Sequence, residues 1–155
     1  MDKCVHACIN GHTLVTSRWI DTVEFCEKCG AKMIDKCPEC GSPIKEWSYG
    51  GVVVLGTPQY TRAAYCRKCG KPYPWTQSAL EAAIELVQEE EELDDIQRSK
   101  LVDSLPDIIS ETPKTQVAIV RFKKALLSVG KFTAEGLRQF AVDFGCELTK
   151  NQLGL

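Results

Sequence analysis

Three short stretches decide how this chain is read: Cys26-Glu27-Lys28-Cys29-Gly30, Cys37-Pro38-Glu39-Cys40-Gly41 and Cys66-Arg67-Lys68-Cys69-Gly70. All have the form C-x-x-C-G. Two thiolates separated by two residues reach one metal ion when the backbone turns tightly between them, and the following glycine lets the chain leave the turn with positive φ. One such knuckle is a weak signal. Three of them between Cys26 and Cys69 match the spacing of structural metal sites better than that of disulfides or core thiols.

Cys37 follows Cys29 too closely to complete the same site, so two sites are expected. The second takes Cys37, Cys40, Cys66 and Cys69. The first takes Cys26 and Cys29 plus two ligands from the opening of the chain, which offers Cys4, His6, Cys8 and His12. Cys8 with His12 is favoured over Cys4 with Cys8. The Asn10-Gly11 dipeptide between Cys8 and His12 suits a tight reversal that returns the imidazole to the metal held by Cys8. Against this, Cys4 would give two all-cysteine sites. His6 reads as a solvated polar residue.

Outward from the knuckles, Thr13 to Phe25 reads as one or two short strands, with Trp19 and Phe25 as a small core beside the metal. Gly51 to Gly56 and Gln59 to Tyr65 read as a β-hairpin, so a zinc ribbon is expected, with Trp47, Tyr49, Tyr60 and Tyr65 as its packing residues. Lys71 to Trp75 reads as a stiff connector in which Trp75 anchors the ribbon to the first helix. From Thr76 the pattern becomes helical. Leu80, Ala83, Ile84 and Val87 form one stripe, and Thr76 or Ser78 is the expected cap, with Glu81 completing a capping box. A second helix is expected over 93–104, ended by Pro106, and a third from Thr112-Pro113 to Val129. A fourth starts near Thr133, with Leu137, Phe140, Ala141, Phe144 and Leu148 on one side, and Cys146 is a helix residue with no ligand role. Glu89 to Glu92, with Asp94 and Asp95, reads as a solvated acidic face. The expected fold is α+β: a double zinc-ribbon domain over 1–75 and a domain of about four helices over 76–155.

The motifs taken together resemble a family of uncharacterised bacterial proteins with a double zinc ribbon followed by helices. The resemblance rests on C-x-N-G-H at Cys8, F-C-x-x-C-G-A-K at Phe25, C-P-x-C at Cys37 and the G-V-V-V strand at Gly51. It extends through A-Y-C-x-x-C-G-K-P-Y-P-W-T at Ala64, S-L-P-D-I-I-S-E-T-P at Ser104 and R-F-K-K at Arg121, and it covers Cys8 to about Gly130. It implies metal ligands at Cys8, His12, Cys26, Cys29, Cys37, Cys40, Cys66 and Cys69, and so supports His12 over Cys4. It implies an architecture and no activity.

Composition bounds the function. The chain of 155 residues carries nine cysteines, yet Met1 to Asn10 contains no apolar core of a secretion signal, so a reducing cytoplasm and two zinc ions are expected. No apolar run approaches the roughly 18 residues of a membrane span. Residues 1–75 hold ten Lys/Arg and seven Asp/Glu, a net +3, whereas residues 76–155 hold nine and fourteen, a net −5. Thiolates bound to zinc bring the first figure close to zero, which removes the positive field expected of a non-specific nucleic-acid binder. A local patch at Arg62, Arg67, Lys68 and Lys71 keeps nucleic acid as an alternative. With His12 a ligand, only His6 remains free, and no H-E-x-x-H, G-x-S-x-G or phosphate-cradling loop occurs, so a non-catalytic module that binds another protein is expected. A rubredoxin-like iron site at the four-cysteine group is the redox alternative.

Overall fold

The computed structural model describes residues 2–17 and 23–155, so the expected core position Trp19 lies outside the described residues. The chain divides into two compact units, Met1–Ser78 and Ala79–Leu155.

The first unit is built on β1 (Lys3–Cys8). On one edge β1 pairs antiparallel with β2 (Thr13–Ser17), from Lys3 opposite Ser17 to Ala7 opposite Thr13. The two-residue strands β3 (Met33–Ile34) and β4 (Glu46–Trp47) share its other edge, with Cys8 opposite Met33 and Cys4 opposite Glu46. The β1 to β2 reversal runs through Gly11, whose φ is 80°, the left-handed conformation that the Asn-Gly dipeptide favours.

No strand forms over Gly51 to Gly56 or over 59–64, so the expected hairpin between the second pair of knuckles is absent. The run Val52-Val53-Val54-Leu55 lacks the alternation that would give it a buried face, and Val53 and Leu55 are 78% and 93% exposed. Gly50, Gly51 and Gly56 all have positive φ and break the extended path on both sides of the run. Phe25 is not core either, being 60% exposed. The buried apolar residues are instead Val5, Met33, Ile44, Tyr73 and Trp75. Tyr73 and Trp75 stack with ring centroids 4.4 Å apart, and the Trp75 indole N–H donates to the Ala63 carbonyl at 2.9 Å. Lys71 to Trp75 is therefore part of the packed unit and not a bare connector, because both of its aromatics are buried and Trp75 anchors α1 to the chain at Ala63.

Helix α1 (Pro74–Gln88) starts two residues before Thr76, with proline at the first helical position, where a missing N–H costs nothing. The expected capping box at Ser78 and Glu81 therefore falls inside the helix, and the Thr76 hydroxyl donates to the Ala64 carbonyl at 2.7 Å. In the second unit α2 (Asp95–Ile109) is capped by Asp94, whose carboxylate accepts the Gln97 N–H at 2.7 Å while the Gln97 side chain accepts the Asp94 N–H at 3.1 Å. Pro106 lies inside α2 and does not end it. Leu105, Ile108 and Ile109 are all buried, and burying that stripe outweighs the roughly 3 kcal/mol that an interior proline costs.

Next come α3 (Thr115–Ser128), α4 (Lys131–Phe144) and the short α5 (Glu147–Leu153), giving five helices among the described residues. Ile119, Phe122, Leu137 and Ala141 fill the centre of this unit, while Leu127 faces water at 88% exposure. Cys146 is the N-cap residue of α5 and Leu148 belongs to α5, because Gly145 closes α4. The acidic run is not uniformly solvated. Glu90 is buried, and its carboxylate accepts the N–H of Gly130, the N-cap residue of α4, at 3.2 Å and that of Glu92 at 3.0 Å. A negative side chain at a helix N-terminus satisfies unbonded donors and opposes the helix dipole.

Candidate metal centres

Each C-x-x-C-G knuckle folds in the same way. The N–H of the first cysteine donates to the carbonyl five residues on: Cys26 to Ala31, Cys37 to Ser42 and Cys66 to Lys71, each at 2.8 Å. The glycine N–H returns to the carbonyl of the first cysteine, from Gly30 to Cys26 at 2.7 Å, Gly41 to Cys37 at 2.9 Å and Gly70 to Cys66 at 2.8 Å. Those glycines have φ of 71°, 72° and 74°. A single antiparallel bridge closes each loop, Phe25 with Lys32, Lys36 with Pro43 and Tyr65 with Pro72.

The opening of the chain imitates this loop with other residues. The Cys8 N–H donates to the His12 carbonyl at 3.1 Å, and the Gly11 N–H donates to the Cys8 carbonyl at 2.9 Å. The register of β1 against β3 then sets Cys8 beside the first knuckle, where Cys8, Cys26 and Met33 pack together.

Two groups of four ligand atoms result, Cys8, His12, Cys26 and Cys29 in one and Cys37, Cys40, Cys66 and Cys69 in the other, with the atoms of each group within 4.8 Å of one another. Cys4 joins neither. Its sulfur lies 3.5 Å from His6 Nε2 and 3.7 Å from the Thr16 hydroxyl. His6 is accordingly half-buried against Cys4 and not simply solvated.

The distances test whether a metal fits. Sulfur ligands about 2.3 Å from a tetrahedral ion lie about 3.8 Å from one another, and a nitrogen at about 2.0–2.1 Å shortens its edges to sulfur to about 3.6 Å. The S–S separations are 3.7 Å for Cys8 and Cys29, and 3.8 Å for both Cys37 with Cys69 and Cys40 with Cys66. His12 Nδ1 stands 3.6 Å from the Cys8 sulfur and 3.5 Å from that of Cys26. All nine cysteines are free thiols. Both groups therefore fit zinc-ribbon-like sites, one with three sulfurs and an imidazole and one with four sulfurs.

Neighbouring dipoles favour the thiolate at particular ligands. The Asn10 side chain and then the Ala31 N–H hold the Cys29 thiol down to about 6. The Ser42 hydroxyl, 3.5 Å away, and the N–H groups of Cys69 and Lys68 hold Cys66 down to about 5. The Ser42 oxygen also lies 3.0 Å from the Cys40 sulfur. Asn10 and Ser42 lie outside both groups of donors and favour the thiolate form of Cys29 and Cys66. Neither stands out in the sequence. Asn10 reads there only as a turn former, and Ser42 is one more small polar residue after a knuckle glycine. Arg62, expected in a basic patch, donates from its guanidinium to the Gly11 carbonyl at 2.9 Å, beside the first group of donors.

A family model described as "Uncharacterized protein conserved in bacteria (DUF2321)" matches residues 2–153. The chain belongs to this family. The match takes in both groups of ligands and all five helices, so it extends beyond the sequence resemblance, which covers Cys8 to about Gly130. No curated protein and no solved structure matches the chain. Among the described residues, no helix of this family member is long and apolar enough to cross a membrane.

Proposed function

We propose that the protein is a non-catalytic interaction module of the cytoplasm, in which each four-donor group holds one structural zinc ion and the first unit presents an apolar segment to a partner protein. Soft thiolates with an imidazole suit zinc, and four protein donors leave a tetrahedral ion no position for substrate or water. Reduced cysteines suit a reducing compartment.

The observation that carries the partner reading is Val52–Leu55. Four consecutive apolar side chains are exposed, and the segment lies outside every strand of the sheet. Contiguous exposed apolar surface on a soluble unit marks an interaction site more often than a scattered residue does. A largely β-branched apolar segment that is not engaged in the sheet is suited to pairing with a strand of another protein. The near-neutral charge of the zinc-loaded unit weighs against a nucleic-acid partner.

The test uses zinc-loaded full-length protein as bait in nuclease-treated extract of its host, beside Val53→Asp with Leu55→Asp. A protein retained by the wild type and lost by the variant, with two zinc ions still bound to each, supports the reading. Equal retention by both, or recovery of nucleic acid alone from untreated extract, rejects it. Visible absorption by the purified protein would replace zinc with iron, since d¹⁰ zinc is colourless.

A further inference from the structure

We propose that the groove between α2 and α3 binds a small phosphate monoester, a function separate from the metal centres and from the Val52–Leu55 segment. The groove has a volume of ≈ 280 Å³. Gln97, Lys100 and Leu101 follow one face of α2, and Arg121, Lys124 and Ala125 follow one face of α3, so the two helices set three cations around one apolar floor. Leu101 and Ala125 are buried, while the polar side chains stand at the rim.

Charge makes this arrangement informative. The unit Ala79–Leu155 carries nine Lys/Arg against fourteen Asp/Glu, yet no carboxylate lines the groove. Among the described residues, Lys100, Arg121 and Lys124 make no ion pair. Three like charges gathered without a counter-charge repel one another, and a bound dianion relieves that repulsion. Arg121 is also held in place. Its Nη1 donates to the Ser104 hydroxyl at 3.1 Å, and that buried hydroxyl donates in turn to the Lys100 carbonyl at 2.7 Å. The anchoring bond uses one of about five guanidinium donors and leaves the others for oxygen ligands in a fork suited to phosphoryl groups.

Size and surroundings choose the ligand class. The volume falls just short of the range of about 300–1,000 Å³ for small-molecule clefts, which suits a phosphoryl group with a ring or short chain. A long polyanion would run past the groove onto a unit whose net charge is −5, whereas a compact dianion needs only the three cations that line it. The apolar floor favours an ester over inorganic phosphate.

The experiment titrates the zinc-loaded full-length chain with phenyl phosphate, followed by calorimetry and by amide chemical shifts. We expect saturable binding, shifts centred on residues 97–101 and 121–128, and weaker binding of inorganic phosphate. Arg121→Ala with Lys124→Ala should weaken binding at least about tenfold, as loss of charge-assisted bonds implies. Lys100→Gln, at an exposed position, should weaken it without disturbing the fold, and Lys131→Ala should leave it unchanged. No saturation by about 10 mM, a limit already weaker than the weakest useful affinities, overturns the proposal. So does unchanged affinity in Lys100→Gln and the double variant, or shifts centred elsewhere. A glutamate-rich peptide that binds the groove more tightly than phenyl phosphate also overturns it, in favour of protein docking.

Discussion

The two units hold themselves together by different means. In Ala79–Leu155 the interior is Leu101, Leu105, Ile108, Ile119, Phe122 and Leu137, ordinary apolar packing on amphipathic helices. In Met1–Ser78 the buried residues include Cys8, Cys26, Cys37 and Cys66, and much of the backbone is knuckle loops closed by single bridges. A unit that places candidate ligands where another places hydrocarbon would rely on a bound metal for much of its cohesion, because small chains bury too little apolar surface to offset their conformational entropy. The same chain thus teaches that burial and ligation are alternative routes to one end.

Removing metal should divide the units most sharply. A strong chelator added to the full-length protein should abolish amide protection throughout residues 2–72 while leaving the far-ultraviolet helical signal of α2 to α5 in place. Loss of both signals together would erase the contrast. His12→Ala should come next, lowering zinc content toward one ion per chain, whereas Cys4→Ser should retain two, both read by metal analysis. The reverse pattern would move the first site to Cys4.

Attacking the helical unit should do the opposite. Phe122→Ala should destabilise it by about 3–5 kcal/mol, read as a lowered helical melting midpoint, with both metals retained. The smallest effect concerns Glu90. Hydrogen bonds from the Thr133 hydroxyl and from the N–H groups of Glu92 and Gly130 hold its carboxyl below the ordinary value of 4.5. A depressed folded value means that the carboxylate stabilises the unit above pH 4.5, and that this contribution fades as pH falls through the folded value. Glu90→Gln should cost about 1–3 kcal/mol near neutral pH. Below the folded value the gap between variant and wild type should narrow, as measured by hydrogen exchange of α4 amides. A gap that widened on acidification would mean that Glu90 acts some other way.

The division was partly legible in the sequence. Ligand spacing is a local geometric code, so C-x-x-C-G specifies a loop nearly independently of its surroundings, and the three knuckles fold alike. Asn10-Gly11 worked for the same reason: one dipeptide prefers the φ that the return of His12 requires. Reading failed where the outcome depended on distant partners. The apolar run at Val52 has strand-forming residues but no partner strand among the described residues. Pro106 reads as a stop, yet the burial of Leu105, Ile108 and Ile109 carries the helix through it. Glu90 is indistinguishable from Glu89 and Glu91 by composition, and only its nearness to Gly130 turns it inward. Trp75 was legible as the anchor of the first helix, whereas Tyr73 read only as part of a connector because its stacking on Trp75 is invisible to periodicity.

The repeated knuckle has a kinetic corollary. At Cys26, Cys37 and Cys66 the first thiol is buried, and the second, at Cys29, Cys40 and Cys69, is the more exposed. Each site therefore has an inner and an outer layer of sulfur. An incoming chelator or electrophile would meet the outer layer first, and an ion held in either site would stay tethered to the inner pair until the last bonds break. Exchange should proceed in ordered steps from one side, with a half-released ion that can be recaptured.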